Sequence, residues 1–187
     1  CIETLSGFFL SWYKKELEMS KLKILVVDDF PIFRVDLGGR RIIKKKIEII
    51  GEAENGRVAI EKAGQLKPHL ILMDLMMPVM NGTEAIRIIK KHQPEIKIIA
   101  LTGENQLKQI QATLAAGADG YVLKDDSNLT LLTAINSVKN DQAYLSPGIC
   151  NTVLSDTTGD SEHIRSAISW CRLNNQEQEE ITNVVAD

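Results

Sequence analysis

Short aliphatic runs punctuate the chain from Leu22 to about Lys139: Ile24–Val27, Ile47–Ile50, Leu70–Met73, Ile98–Leu101 and Tyr121–Leu123. Such runs are expected of parallel strands covered by helices on both faces. Longer segments lie between them, with apolar residues recurring every three or four positions. The series are Ala59, Ala63 and Leu66; Ala85, Ile86 and Ile89; Leu107, Ile110 and Leu114; and Leu131, Leu132, Ile135 and Val138. Each presents one apolar stripe to a sheet, which predicts a helix. A helix between the first two runs is interrupted by Gly38 and Gly39, where glycine costs about 1 kcal/mol relative to alanine. The last of the helices begins at Asp125, Asp126 and Ser127 and ends near Lys139, a charge order suited to the helix dipole. The pattern predicts one α/β domain: a five-stranded parallel sheet, doubly wound, over residues 22–140.

Past Asp141 the pattern changes. Pro147-Gly148 and the polar stretch from Ser155 to Asp160 read as part of a linker over 141–173, and an amphipathic segment follows over 174–187. From residue 141 onward there are eight acidic residues against Arg165 and Arg172, a net charge of −6. A chain of 187 residues holds one domain of ordinary size with such extensions. At 44% hydrophobic and 25% charged residues, disordered and fibrous classes are excluded.

No run approaches the roughly 18 apolar residues of a spanning helix, so no membrane role is expected. Residues 1–21 read as an N-terminal extension. Its apolar patch at Phe8, Phe9, Leu10 and Trp12 follows only Glu3 and precedes no small-residue cleavage site, so it fails as a signal peptide. Met19-Ser20-Lys21 resembles a translation start. Cys1, Cys150 and Cys171 are odd in number and widely spaced, which reads as free thiols in a reducing cytoplasm. His69, His92 and His163 are scattered without metal-ligand spacing.

The chemistry gathers at strand ends. In an open parallel sheet, functional groups collect beyond the carboxyl ends of the strands, where the strand order reverses. Here the first run leads into Asp28 and Asp29, the third into Asp74 and the fourth into Thr102, while Lys124 follows the fifth. Three converging carboxylates repel one another unless a cation sits among them. Magnesium suits such a site, because it accepts one or two carboxylates, keeps several waters and leaves room for phosphate oxygens. Lys124 and Thr102 would offer an ammonium and a hydroxyl opposite the metal. The assembly makes one carboxylate a nucleophile toward phosphorus, and Asp74 is the choice. It ends the central strand and precedes a loop whose Pro78 and Gly82 fix a turn beside the site.

The segments VVDDFPIFR at 26–34, LILMDLMMPVMNG at 70–82, IIALTG at 98–103 and AAGADGYVLKD at 115–125 together resemble the response-regulator receiver domain of two-component systems. That resemblance implies a flavodoxin-like receiver fold. It implies Asp74 as phosphoacceptor, with Asp29 as a direct magnesium ligand, Asp28 acting through water and the Met76 backbone carbonyl completing the site. It also implies Lys124 and Thr102 as phosphoryl partners and Tyr121 as the switch aromatic that moves with Thr102. The YVLKD ending is similar to the subfamily carrying a LuxR-type helix-turn-helix, although Phe30 replaces its usual histidine and His69 its usual aspartate.

Residues 174–187 resemble the opening helix of that DNA-binding module. The groove-entering helix does not follow, and −6 over the tail is unsuited to phosphate binding. A truncated regulator is therefore expected, with DNA contacted only through a missing C-terminal part. Lys44-Lys45-Lys46 and Lys90-Lys91 read as solvated helix ends.

The implied function is a signalling switch rather than an enzyme. A sensor histidine kinase would phosphorylate Asp74 in the presence of magnesium. The acyl phosphate would then bias a surface made by the Leu107–Leu114 helix, the Tyr121–Leu123 strand and the following helix, with homodimerisation or transcriptional output as the result. A stand-alone phosphorelay carrier is the alternative. An aspartyl-phosphate phosphatase would need a second carboxylate where Met76 stands. A nucleotide or flavin module would need GxGxxG or GxxxxGK[ST], and neither occurs.

Overall fold

The computed structural model describes residues 21–29, 47–155 and 171. Its strands are β1 (Leu22–Val27), β2 (Ile47–Ala53), β3 (Leu70–Asp74), β4 (Lys97–Thr102), β5 (Gly120–Leu123) and β6 (Tyr144–Leu145). They form one sheet in the order β2-β1-β3-β4-β5-β6, with every neighbouring pair parallel. The helices are α1 (Gly56–Leu66), α2 (Gly82–His92), α3 (Leu107–Ala115), α4 (Asn128–Lys139) and α5 (Pro147–Ser155).

The five expected strands are all present, but the sheet has six. β6 escapes a reading of periodicity because it is two residues long, joined to β5 through Gly120↔Tyr144 and Tyr121↔Leu145. The stretch expected to be a linker also contains α5. Pro147 stands at its first position, where a missing N–H removes no helical hydrogen bond, so a dipeptide that signals a loop here opens a helix. The expected helix between β1 and β2, the 174–187 segment, and all but Lys21 of the N-terminal extension lie outside the described residues.

Both faces of the central strands are covered, which is why their sequences are continuously apolar rather than alternating. Ile71, Met73, Ile98 and Tyr121 point toward α1, α2, α3 and α5. Leu70, Leu72, Ile99 and Val122 point the other way, onto Leu131, Ala134, Ile135 and Val138 of α4. All five β3 residues are buried. At the sheet edge, β2 buries only Ala53 and leaves Ile49 41% exposed. The predicted helical stripes hold except at Leu66, which ends α1 partly in solvent.

Three helix starts share one device. Asn55, Asn81 and Ser127 accept hydrogen bonds from the backbone N–H groups of Val58, Glu84 and Thr130, satisfying donors that have no partner within the helix. The Asn81 cap matters most for the site, because it fixes where α2 begins after the loop leaving β3. Lys90, Lys91 and His92 close α2, complementing its dipole. Lys90 Nζ also lies 2.6 Å from Asp119 Oδ2, which pins the turn before β5 to α2.

Candidate functional site

β1 and β3 are neighbours, and β2 lies on the far side of β1, so the strand order reverses between β1 and β3. The carboxyl ends of these two strands deliver Asp28, Asp29 and Asp74. One carboxylate oxygen from each lies within 4.8 Å of the others. Asp74 is 1% exposed, Asp28 half-buried and Asp29 exposed, so the cluster runs from the sheet interior to the surface.

Asp74 is held at both oxygens. Oδ1 accepts from the backbone N–H of Met76 at 3.0 Å, and Oδ2 accepts from Lys124 Nζ at 2.5 Å. Lys124 also reaches Asp28 Oδ1 at 3.5 Å. Burial alone would lower the pKa of the Lys124 ammonium. Asp74 and Asp28 outweigh that effect, and the net shift is upward. Lys124 is thus a fixed cation at neutral pH. It compensates one of three carboxylates, which leaves an all-oxygen, doubly negative cluster of the kind that suits a hard divalent cation. The donor set fits magnesium.

The loop after β3 is built for close approach. Leu75 N–H donates to the Leu101 carbonyl at 3.0 Å, and Gly82 N–H returns to the Leu75 carbonyl at 3.1 Å. A Cβ on Gly82 would sit 2.1 Å from the Asp74 carbonyl oxygen, so only glycine fits beside the acidic strand end. Val79, in the same loop, is left-handed at φ 69° and 77% exposed, an unfavourable backbone state for a β-branched residue.

Thr102 is fully buried at the end of β4. Its hydroxyl accepts from the Glu104 N–H at 3.1 Å, and its carbonyl accepts from the Lys124 N–H at 2.7 Å. The backbone therefore ties Thr102 directly to the lysine that holds Asp74. Tyr121 is also fully buried, and its hydroxyl makes no hydrogen bond. Burial pushes its pKa up to about 12, partly offset by the neighbouring Thr102 and Thr113 hydroxyls. Thr113 was not anticipated from the sequence. Its signal was a hydroxyl on the buried stripe of α3 between Ile110 and Leu114, and it pairs with Thr83 of α2 at 2.9 Å.

The sequence is matched over residues 24–136 by the response regulator receiver domain. The chain belongs to that family. This receiver is 38% identical over 128 residues to the response regulator protein VraR of Staphylococcus aureus, an alignment covering 68% of this chain and 61% of VraR. Among solved structures it resembles a LuxR-family two-component response regulator from Aurantimonas sp. SI85-9A1. The TM-score there is 0.66 at 29% identity, over 73% of this chain and 97% of that one. It also resembles the isolated receiver domain of RcsB from Salmonella enterica serovar Typhimurium, solved with the phosphomimetic BeF3−. That match has a TM-score of 0.63 at 25% identity, over 71% of this chain and 99% of that one. The chain is a receiver domain of the kind found in two-component response regulators, and one of its structural relatives is of the LuxR family. Among the described residues, no helix is long and apolar enough to cross a membrane.

Contrary to the expectation of three free thiols, two of the cysteines are paired. Cys150 and Cys171 form a disulfide, with Cα atoms 5.5 Å apart, within the range such a bond requires. Their 21-residue separation hid the pairing, because nothing in the sequence alone shows the chain returning to α5. Cys1 lies outside the described residues.

Proposed function

We propose that the receiver accepts a phosphoryl group on Asp74 from a sensor histidine kinase, with magnesium as cofactor, and acts as a switch rather than a metabolic enzyme. The observation that carries this reading is the pairing of buried Asp74 with Lys124 beside the Asp28–Asp29 carboxylates. Asp28, Asp29, Asp74 and the Met76 backbone carbonyl would hold the magnesium. Its role is to offset the charge of the carboxylates and of the incoming phosphoryl group.

In the transfer, one Asp74 carboxylate oxygen forms a bond to phosphorus as the bond from phosphorus to the donor histidine nitrogen breaks, and that nitrogen keeps the electron pair. Lys124 then exchanges part of its contact with Asp74 for a phosphoryl oxygen. Its fixed charge stabilises a group whose negative charge is spread over three oxygens. Thr102 would turn its hydroxyl from the Glu104 N–H toward the phosphoryl group. Tyr121, already inside, would follow the space that Thr102 vacates. The surface so biased comprises α3, β5 and α4.

The chain spans 61% of the length of VraR. Transcriptional output through a LuxR-type DNA-binding part is proposed for the longer protein, supported by the RcsB relative solved as dimers bound to DNA. Homodimerisation is proposed on the same ground. The proposed division is an extension over 1–21, a receiver over 22–140, a linker over 141–173 to which β6 and α5 belong, and the start of an output module over 174–187.

The test is incubation with acetyl phosphate and magnesium. Wild-type protein should take up hydroxylamine-labile phosphate, and Asp74→Asn should take up none. Undiminished labelling of the variant would move the acceptor elsewhere.

A further inference from the structure

β6 and α5 do more than extend the sheet. Ser146 N–H donates to the Tyr121 carbonyl at 2.9 Å, so the start of α5 hangs from the strand that carries the buried tyrosine. A Cβ at Gly148 would lie 2.8 Å from a Leu123 methyl, which shows how closely the helix approaches β5. Ile149, Cys150 and Val153 are buried in the same apolar cluster as Tyr121, Ile110 and Leu114. α5 thus packs against the α3 side of β5, in the apolar cluster that also holds Tyr121. Cys171 is buried in that cluster too, and its bond to Cys150 ties a distant part of the chain to the helix.

We propose that the Cys150–Cys171 disulfide is a redox-set clamp that fixes the α5 segment on β5, giving the switch face a second input besides phosphorylation. This rests on the receiver reading only for the word switch; the clamp itself depends on the bond and the packing. A small or protein dithiol would open it. One dithiol sulfur attacks Cys150 or Cys171 and breaks the S–S bond, and the second dithiol sulfur then displaces the first cysteine from the mixed disulfide. Two electrons and two protons end on Cys150 and Cys171, and the dithiol leaves as its own disulfide. Both cysteine side chains are buried, so attack requires α5 to lift first. The clamp therefore opens slowly in the docked state. Once it is open, no covalent bond holds Cys171 to α5, and docking of α5 relies on its apolar contacts and the Ser146–Tyr121 backbone hydrogen bond.

The experiment uses the full chain, purified without reductant. Thiol alkylation followed by intact-mass measurement should count one reactive cysteine under denaturing conditions before reduction and three after it. Three before reduction would overturn the clamp. Amide hydrogen exchange is then compared between oxidised and dithiothreitol-reduced protein. Exchange at Ser146 and Cys150 should rise at least about tenfold on reduction, while β3 stays unchanged. Equal protection in the two states would overturn the proposal, and so would a loss confined to β3. The Cys150→Ala variant should show the reduced pattern in both conditions. Cys171→Ala, which removes the same bond from its other end, should do the same. Asp74 labelling measured on the same two samples separates the readings. A rate that differs between them supports the redox input and an equal rate overturns it; no labelling in either, with the exchange difference intact, supports the clamp and overturns the reading of Asp74 as phosphoacceptor.

Discussion

At the scale of single residues, Lys124 and Tyr121 carry the clearest physical consequences, and that of Tyr121 depends on pH. Lys124 compensates a carboxylate pair in a partly dry pocket. Replacing it with alanine leaves Asp74 buried without a cation and should cost about 1–3 kcal/mol in chemical denaturation, discounted for its partial exposure. Added magnesium should recover part of that loss. A loss absent with or without magnesium would contradict the pairing. Tyr121 works in the opposite sense, since its hydroxyl is buried without a hydrogen bond. Tyr121→Phe should therefore keep or raise stability at neutral pH, by roughly 1 kcal/mol. The folded pKa of about 12 lies above the ordinary 10.0. Its contribution is complete below about pH 10 and is lost as pH rises from there to 12, because the unfolded phenol ionises first. Melts of wild type and Tyr121→Phe should diverge across that window, the wild type falling relative to the variant. A wild type that gained stability relative to the variant above pH 10 would refute it.

Elements position these residues, and the loop from β3 to α2 carries most of the constraint. A Cβ at Gly82 meets the Asp74 carbonyl. Gly82→Ala should thus displace the strand end, lowering both stability and Asp74 labelling; a variant with unchanged melting and labelling would show that the loop can give way. Val79 makes the reverse case. Its left-handed backbone is disfavoured and its side chain is exposed, so Val79→Gly should gain up to about 1 kcal/mol without touching the carboxylates. At this scale the sequence was most readable where burial is two-sided. Leu70–Met73 and Ile98–Leu101 announce strands because both faces are covered, and Ala85, Ile86 and Ile89 mark the buried side of α2. It was least readable after Asp141. Two paired residues make no pattern, and Pro147-Gly148 has the same letters whether it closes a loop or opens a helix.

For the molecule as a whole, a parallel sheet with its order reversing between β1 and β3 brings Asp74 to the adjacent pair Asp28 and Asp29 from far along the sequence. The carboxylate cluster was legible because strand ends are where such sheets put chemistry, and Asp28, Asp29, Asp74 and Lys124 all converge there. Two features were not legible. Thr113 beside Tyr121 depends on how α3 is rotated against the sheet, and the Cys150–Cys171 bond depends on a tertiary return of the chain. Magnesium bound among the carboxylates should raise the thermal midpoint of the whole domain, since a ligand favouring the folded state stabilises it in proportion to the logarithm of its concentration. Asp29→Asn should blunt that rise, which differential scanning fluorimetry would register; an equal rise in both proteins would place the ion elsewhere.

The central claim is that Asp74, and neither of its acidic neighbours, forms the bond to phosphorus. Borohydride reduction of acetyl-phosphate-treated protein, followed by peptide mass spectrometry, converts an aspartyl phosphate to homoserine at the residue that carried it. Homoserine at position 74, dependent on magnesium, is the expected result. Homoserine at position 28 or 29, or none anywhere, would contradict the account.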